Sequence, residues 1–204
     1  MKLIGMLDSP YVRRAAITLT LKGIPFEHLS LSLSVFRNFG EFQSINPLVK
    51  APTLIGDEGW QMVDSSMIID WAESVGTGAS LMPSEPAARL RALRLLGLAL
   101  TACEKSVQIV YEGKRDENHR DPAWLSRVQG QLTSAYAALE QEATGRNGWL
   151  IGETLTQADI TVAVAWGFTQ LMQPELIITA RHPALAALSA RAEQLPAFMA
   201  LPPT

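Results

Sequence analysis

The sequence holds little that would tie it to a membrane, a metal or a nucleic acid. It has one cysteine, Cys103, in 204 residues. No internal disulfide is therefore possible, which fits a reducing compartment. Three histidines, His28, His119 and His182, show no ligand spacing, so no metal site is expected. Charged residues make up 18% of the chain and the net charge is -3. A soluble domain typically carries about 25% charged residues. An acidic chain lacks the basic face that phosphate neutralisation needs, so no nucleic-acid partner is expected. The scarcity of charge reads either as extra buried surface, such as a subunit interface or an apolar pocket, or as a bland surface. The longest apolar stretch, residues 160–172, contains polar residues and falls short of the ~20 residues of a membrane span. The apolar run at the N-terminus stops at Asp8, too soon for a signal peptide. The expected location is the cytosol, with no membrane partner.

What is present divides the chain in two. Residues 2–7 form an apolar run that stops at Asp8-Ser9-Pro10, a strand followed by a helix start. Residues 11–22 have helical spacing, with Val12, Ala15, Ala16 and Leu19 on one face and Gly23 as the terminating glycine. Residues 26–33 read as a second strand and residues 36–44 as a short helix or irregular turn. Residues 53–55 and 61–63 read as a hairpin joined by Gly56-Asp57-Glu58-Gly59. Asp64-Ser65-Ser66 is a capping signal before a helix over residues 67–75. The order β-α-β-α-β-β-α over residues 1–77 is thioredoxin-like, and its first two strands, joined by a helical crossover, should be parallel.

A linker rich in Gly and Pro follows over residues 78–86. From 87 to 204 no strand signal survives and an all-helical bundle domain is expected. Residues 87–110 place Leu90, Leu93, Leu96 and Leu100 in register, and residues 124–142 do the same with Leu125, Val128, Leu132, Tyr136 and Leu139. Residues 158–172 are apolar nearly all round, the mark of a central helix. Residues 183–195 form a last amphipathic helix. The fold class is thus α/β plus all-α.

Four motifs, in order along nearly the whole chain, resemble those of the glutathione S-transferase family, in its bacterial, serine-type, cytosolic form. They are Ser9-Pro10-Tyr11-Val12-Arg13-Arg14, then Asn46-Pro47-Leu48-Val49-Lys50-Ala51-Pro52-Thr53-Leu54, then Asp64-Ser65, then Gly152-Glu153-Thr154-Leu155-Thr156-Gln157-Ala158-Asp159. Many members of the family carry glycine where this chain has Val49, so the sequence allows a different loop path there.

Each motif has an ordinary reading beside the one the resemblance implies. Ser9 is a helix N-cap; the resemblance makes its hydroxyl the catalytic group. Serine here excludes mixed-disulfide chemistry at this position, and Val12 excludes a Cys-x-x-Cys pair. Pro52 is a loop proline; the resemblance implies a cis bond after Ala51, whose backbone would pair with the cysteinyl unit of glutathione. Asp64 and Ser65 are a helix cap; the resemblance makes the same turn, with its free N–H groups, the seat of the γ-glutamyl group. Lys50 completes the glutathione-binding set. Thr156 and Asp159 read as a capping box important to stability. Tyr111 and Trp166 are core aromatics or, alternatively, walls of an acceptor pocket. Cys103 reads as a core thiol. Arg89, Arg91 and Arg94 read as a solvated face or as contacts of a dimer.

The resemblance further implies glutathione as co-substrate, no metal, a small electrophile as second substrate, and a homodimer. The implied reaction is attack by the glutathione thiolate on an electrophilic carbon or a peroxide, as in a glutathione transferase. A glutathione-dependent isomerase, dehalogenase or peroxidase, or a non-catalytic interaction module, are the other outcomes.

Overall fold

The computed structural model describes residues 1–30 and 39–203. It falls into two compact units, Met1–Leu81 with Leu195–Thr204, and Met82–Gln194.

The first unit is built on a four-stranded mixed sheet in the order β2-β1-β3-β4. Strands β1 (Lys2–Ile4) and β2 (Glu27–Leu29) are parallel, joined through helix α1 (Pro10–Leu21). Strands β3 (Thr53–Ile55) and β4 (Gln61–Met62) form an antiparallel hairpin, and β3 runs antiparallel to β1. Alternation along the strands sorts the core into two layers. Leu3 and Leu54 pack with Val12, Ala15, Ala16 and Leu19 of α1 and with Ile68 and Ala72 of α3 (Ser65–Val75). The neighbouring residues Ile4 and Ile55 face the other way, with Phe42 and Ile45 of α2 (Phe39–Ile45). This is the thioredoxin-like arrangement expected from the sequence. The strands are shorter than the apolar runs that announce them. Residues 31–33 and 36–38, read as strand end and helix start, lie outside the described residues.

Helix α1 ends as its sequence predicts. Gly23 takes φ +68, Ile24 N–H donates to Leu19 O at 2.9 Å and Gly23 N–H to Thr20 O at 3.1 Å. Residues 195–204, which the sequence places with the helical domain, belong to the first unit. There α8 (Pro196–Met199) packs on α1. The buried Arg13 guanidinium lies 5.5 Å from the Phe198 ring centroid, and its Nε donates to Leu201 O at 2.9 Å.

The second unit contains α4 (Pro86–Gly113), α5 (Pro122–Ala143), α6 (Gln157–Met172) and α7 (Pro183–Ala192). Helix α6 is buried over almost its whole length, and α4 packs on both α5 and α6. A buried hydroxyl network joins three helices. Tyr136 donates to Thr169 Oγ1 at 2.7 Å or Ala165 O at 2.9 Å, and Ser106 Oγ meets Thr169 Oγ1 at 2.6 Å. The capping box at the start of α6 is formed as predicted: Asp159 accepts from Thr156 N–H at 2.8 Å and also from Leu150 N–H at 2.7 Å. Burial pushes the Asp159 carboxyl up, against the pull of those donors.

One helical stripe departs from expectation. Leu90 and Leu93 are 61% and 51% exposed, and the buried face of α4 is instead Ala92, Leu95, Ala99, Ala102, Cys103 and Ser106. Apart from Leu95, the inner face is made of small side chains, and Leu90 and Leu93 are not part of it. Arg91 donates to Glu142 at 2.8 Å, tying α4 to α5, and Arg94 approaches the same carboxylate at 3.9 Å.

Candidate functional site

Strand direction brings three separated segments to one end of the sheet. Strand β1 finishes at Ile4, which pairs with Thr53, the first residue of the antiparallel β3. Strand β4 finishes at Met62, which pairs with Leu54. The residues after β1, before β3 and after β4 therefore emerge together. These are Ser9 opening α1, Ala51–Pro52, and Asp64–Ser65 opening α3. The close approach is visible at Gly5, with φ +138 at the end of β1: a Cβ there would meet Val12 Cγ2 at 2.5 Å and Ala51 Cβ at 3.0 Å. Only glycine lets β1, α1 and the Ala51 loop approach this closely.

The Ser9 hydroxyl makes no capping bond to α1, although Ser9 occupies the N-cap position and Pro10 the first helical position. The first helical N–H groups lack intrahelical acceptors and carry the positive end of the helix dipole. The Ser9 hydroxyl and the positive end of α1 thus lie at the same point.

The 46–53 loop is held by its own side chains. Buried Asn46 donates from Nδ2 to Thr53 Oγ1 at 2.8 Å and accepts Leu48 N–H at 3.0 Å; Thr53 in turn donates to Lys50 O at 2.6 Å. The Ala51–Pro52 peptide is cis, as is Val63–Asp64. Val49 sits at φ +47. This position, often glycine in the family, keeps a left-handed backbone here despite a β-branched side chain that disfavours it. Lys50 is exposed and Ala51 partly buried.

At the third segment, Asp64 Oδ1 accepts Ser66 N–H at 2.8 Å and so caps α3. Ser65 is buried, and its hydroxyl accepts from Arg14 Nη1 at 2.9 Å. The structure thus gathers Ser9, Ala51, Pro52, Asp64 and Ser65 at one end of one sheet, with Lys50 beside Ala51. Tyr111 and Trp166 lie in the other unit. Trp166 is buried, edge-on to Tyr136 at 5.7 Å between ring centroids, which matches the core reading. Tyr111 is 43% exposed, and partial burial raises its phenol pKa. No group of residues that could hold a metal ion is found among the described residues, and no helix among them is long and apolar enough to cross a membrane.

Arg14, Asn46 and Thr53 stand in the motifs read from the sequence but receive no role there, and Gly5 is not singled out. The Asn-Pro dipeptide was a usable turn signal. Nothing local marks Arg14 as buried, because arginine on a helix ordinarily faces solvent.

Known proteins match across both units. Residues 3–76 match the family model "Glutathione S-transferase, N-terminal domain" and residues 122–191 match "Glutathione S-transferase, C-terminal domain". The uncharacterized GST-like protein YibF of Escherichia coli (strain K12) is 30% identical over 82% of this chain and 81% of its own. A maleylpyruvate isomerase of a Ralstonia species is 28% identical over 97% of this chain and 94% of its own. Among solved structures, a glutathione S-transferase of Methylobacterium radiotolerans in complex with glutathione sulfonate superposes with a TM-score of 0.89. It is 32% identical, covering 99% of this chain and 94% of that one.

Proposed function

The chain belongs to the glutathione S-transferase family, and from that premise we propose that it binds glutathione at the sheet end described above and delivers the tripeptide's thiolate to a small electrophile. The convergence of Ser9, Ala51–Pro52 and Asp64–Ser65 at one end of the sheet carries this reading. The M. radiotolerans neighbour, crystallised with glutathione sulfonate, supports it.

Each segment has a distinct role in the proposal. The backbone N–H and C=O of Ala51 pair with the cysteinyl unit in the manner of an added strand. The start of α3, with Ser65, takes the γ-glutamyl carboxylate on its free N–H groups. Asp64 caps α3 through Oδ1 and faces the γ-glutamyl ammonium as a negative charge. Lys50 supplies a further cation. Ser9 donates its hydroxyl proton to the cysteinyl sulfur. A free thiol has a pKa near 8.5, and lowering it by about two units requires about 2.7 kcal/mol of preference for the anion. A hydroxyl donor together with the positive end of α1 supplies that order of stabilisation. The thiolate then forms a carbon–sulfur bond with the electrophile, either expelling a leaving group as an anion or adding to an activated double bond whose π electrons then take a proton from water. The acting form is proposed to be a cytosolic homodimer.

A second reading is favoured by the isomerase similarity, which extends over 97% of the chain. In it the thiolate adds to an unsaturated acid, rotation follows, and the thiolate leaves again. Glutathione is regenerated, and the same residues serve.

Calorimetric titration with glutathione tests the shared core of both readings. Wild-type protein should bind it. Asp64→Ala should weaken binding about tenfold, while costing about 1 kcal/mol of stability through the lost cap. An unchanged affinity in Asp64→Ala would remove Asp64 from the site. Screening conjugation and cis–trans isomerisation with glutathione then separates the two readings.

A further inference from the structure

Arg14 lies on the inner side of α1 and is 2% exposed. One of its nitrogens, Nη1, donates to Ser65 Oγ at 2.9 Å and reaches Ser66 Oγ at 3.3 Å. Ser65 and Ser66 are the first two residues of α3. A guanidinium only donates and stays charged, whereas a hydroxyl has one proton and two lone pairs. The Ser65 oxygen must therefore be the acceptor in this contact. Its own proton is left to point at a third group, and donation from a cation makes that O–H a stronger donor. The N–H of Ser65, at the first helical position, has no intrahelical acceptor. A carboxylate arriving at this turn would meet both protons of Ser65.

We infer that Arg14 is a positioning residue of the γ-glutamyl subsite, orienting and polarising the Ser65 hydroxyl toward the ligand's carboxylate. The inference rests on the glutathione reading of the α3 turn and adds to it. Arg14 does not touch the ligand in this account; it acts through Ser65. Lysine cannot replace it fully, because a point charge on a flexible stem does not hold two hydroxyls from one rigid plane.

The test is calorimetric titration of wild type, Arg14→Met, Arg14→Lys, Ser65→Ala and the Arg14→Met/Ser65→Ala double variant. The ligands are glutathione and the same tripeptide with its γ-glutamyl α-carboxylate amidated. Wild type should prefer glutathione. Arg14→Met should lose about tenfold in glutathione affinity and little for the amide, the scale of one charge-assisted hydrogen bond. The double variant should bind glutathione no more weakly than Ser65→Ala alone, because both act through one hydroxyl. Should Arg14→Met fail to fold, Arg14→Lys carries the test, with a several-fold drop in the same preference. Equal weakening of both ligands would mark a purely structural arginine and overturn the inference. So would an unchanged preference, or losses that multiply in the double variant. Wild-type protein that does not bind glutathione would overturn the glutathione reading and this inference together. Wild-type binding with an insensitive Arg14 overturns the inference alone.

Discussion

At Val49 the backbone is left-handed, at φ +47, and the side chain is β-branched. Such a residue costs about 1–2 kcal/mol in that conformation relative to glycine. Its side chain offsets part of this by packing against the cluster of Ile4 and Phe42. Truncation to alanine removes the packing and keeps the backbone penalty; truncation to glycine removes both. Val49→Gly should therefore be more stable than Val49→Ala by about 1 kcal/mol, the reverse of the usual order at regular positions. Urea unfolding of the two variants measures it, and alanine the more stable of the pair would refute a left-handed Val49. The same scale shows what local sequence cannot reveal. Arg13 and Arg14 are both buried, yet their partners, Leu201 and Ser65, lie 188 and 51 residues away. Two adjacent arginines on a helix carry no local sign of such partners.

Between elements, the exit from the first unit is clasped by one buried amine. Lys22 Nζ donates to Gly78 O at 2.9 Å and Ala79 O at 3.1 Å and lies 3.3 Å from Glu73 Oε2 on α3. Glu73 also accepts from Ser80 Oγ and Leu81 N–H. Desolvation works to raise the Glu73 carboxyl, but the bonds from Ser80, Leu81 and Lys22 outweigh it and hold the carboxyl below its ordinary 4.5. A depressed pKa in the folded state means the unfolded chain takes up the proton first as pH falls. The clasp is therefore fully stabilising above about pH 4.5 and is lost as pH drops through the folded-state value. Glu73→Gln should be less stable than wild type at pH 6 and approach it by pH 3, as read from denaturant midpoints. A constant gap between the two across that range would show that the Glu73 charge contributes nothing. Element order was legible because caps, glycine stops and two-residue alternation are local signals. The inner face of α4 was not: leucine periodicity suggested Leu90 and Leu93, whereas the face packed on α5 and α6 is Leu95 with alanine, cysteine and serine. The return of residues 195–204 to the first unit was equally hidden, since it depends on Arg13 meeting Phe198.

For the whole molecule, the exposed leucines of α4 and an 18% charged share are consistent with association. Light scattering at micromolar concentration should give twice the chain mass of 22.2 kDa; a value near the single-chain mass would exclude the dimer. The candidate site was legible as residue types in family order, since Ser9, Ala51–Pro52 and Asp64–Ser65 all lie in quoted motifs. Arg14, Asn46 and Thr53 lie in the same motifs, but their supporting roles, and that of Gly5, appear only once the strands set which ends meet. The central claim is that glutathione binds at this sheet end with its thiol ionised by Ser9. The direct measurement is an ultraviolet titration of the thiolate of glutathione bound to wild type and to Ser9→Ala. The wild-type complex should titrate about two units below the free thiol's ~8.5, and Ser9→Ala should move back up by about one unit or more while still binding glutathione. Identical titration curves for the two proteins would contradict the role of Ser9.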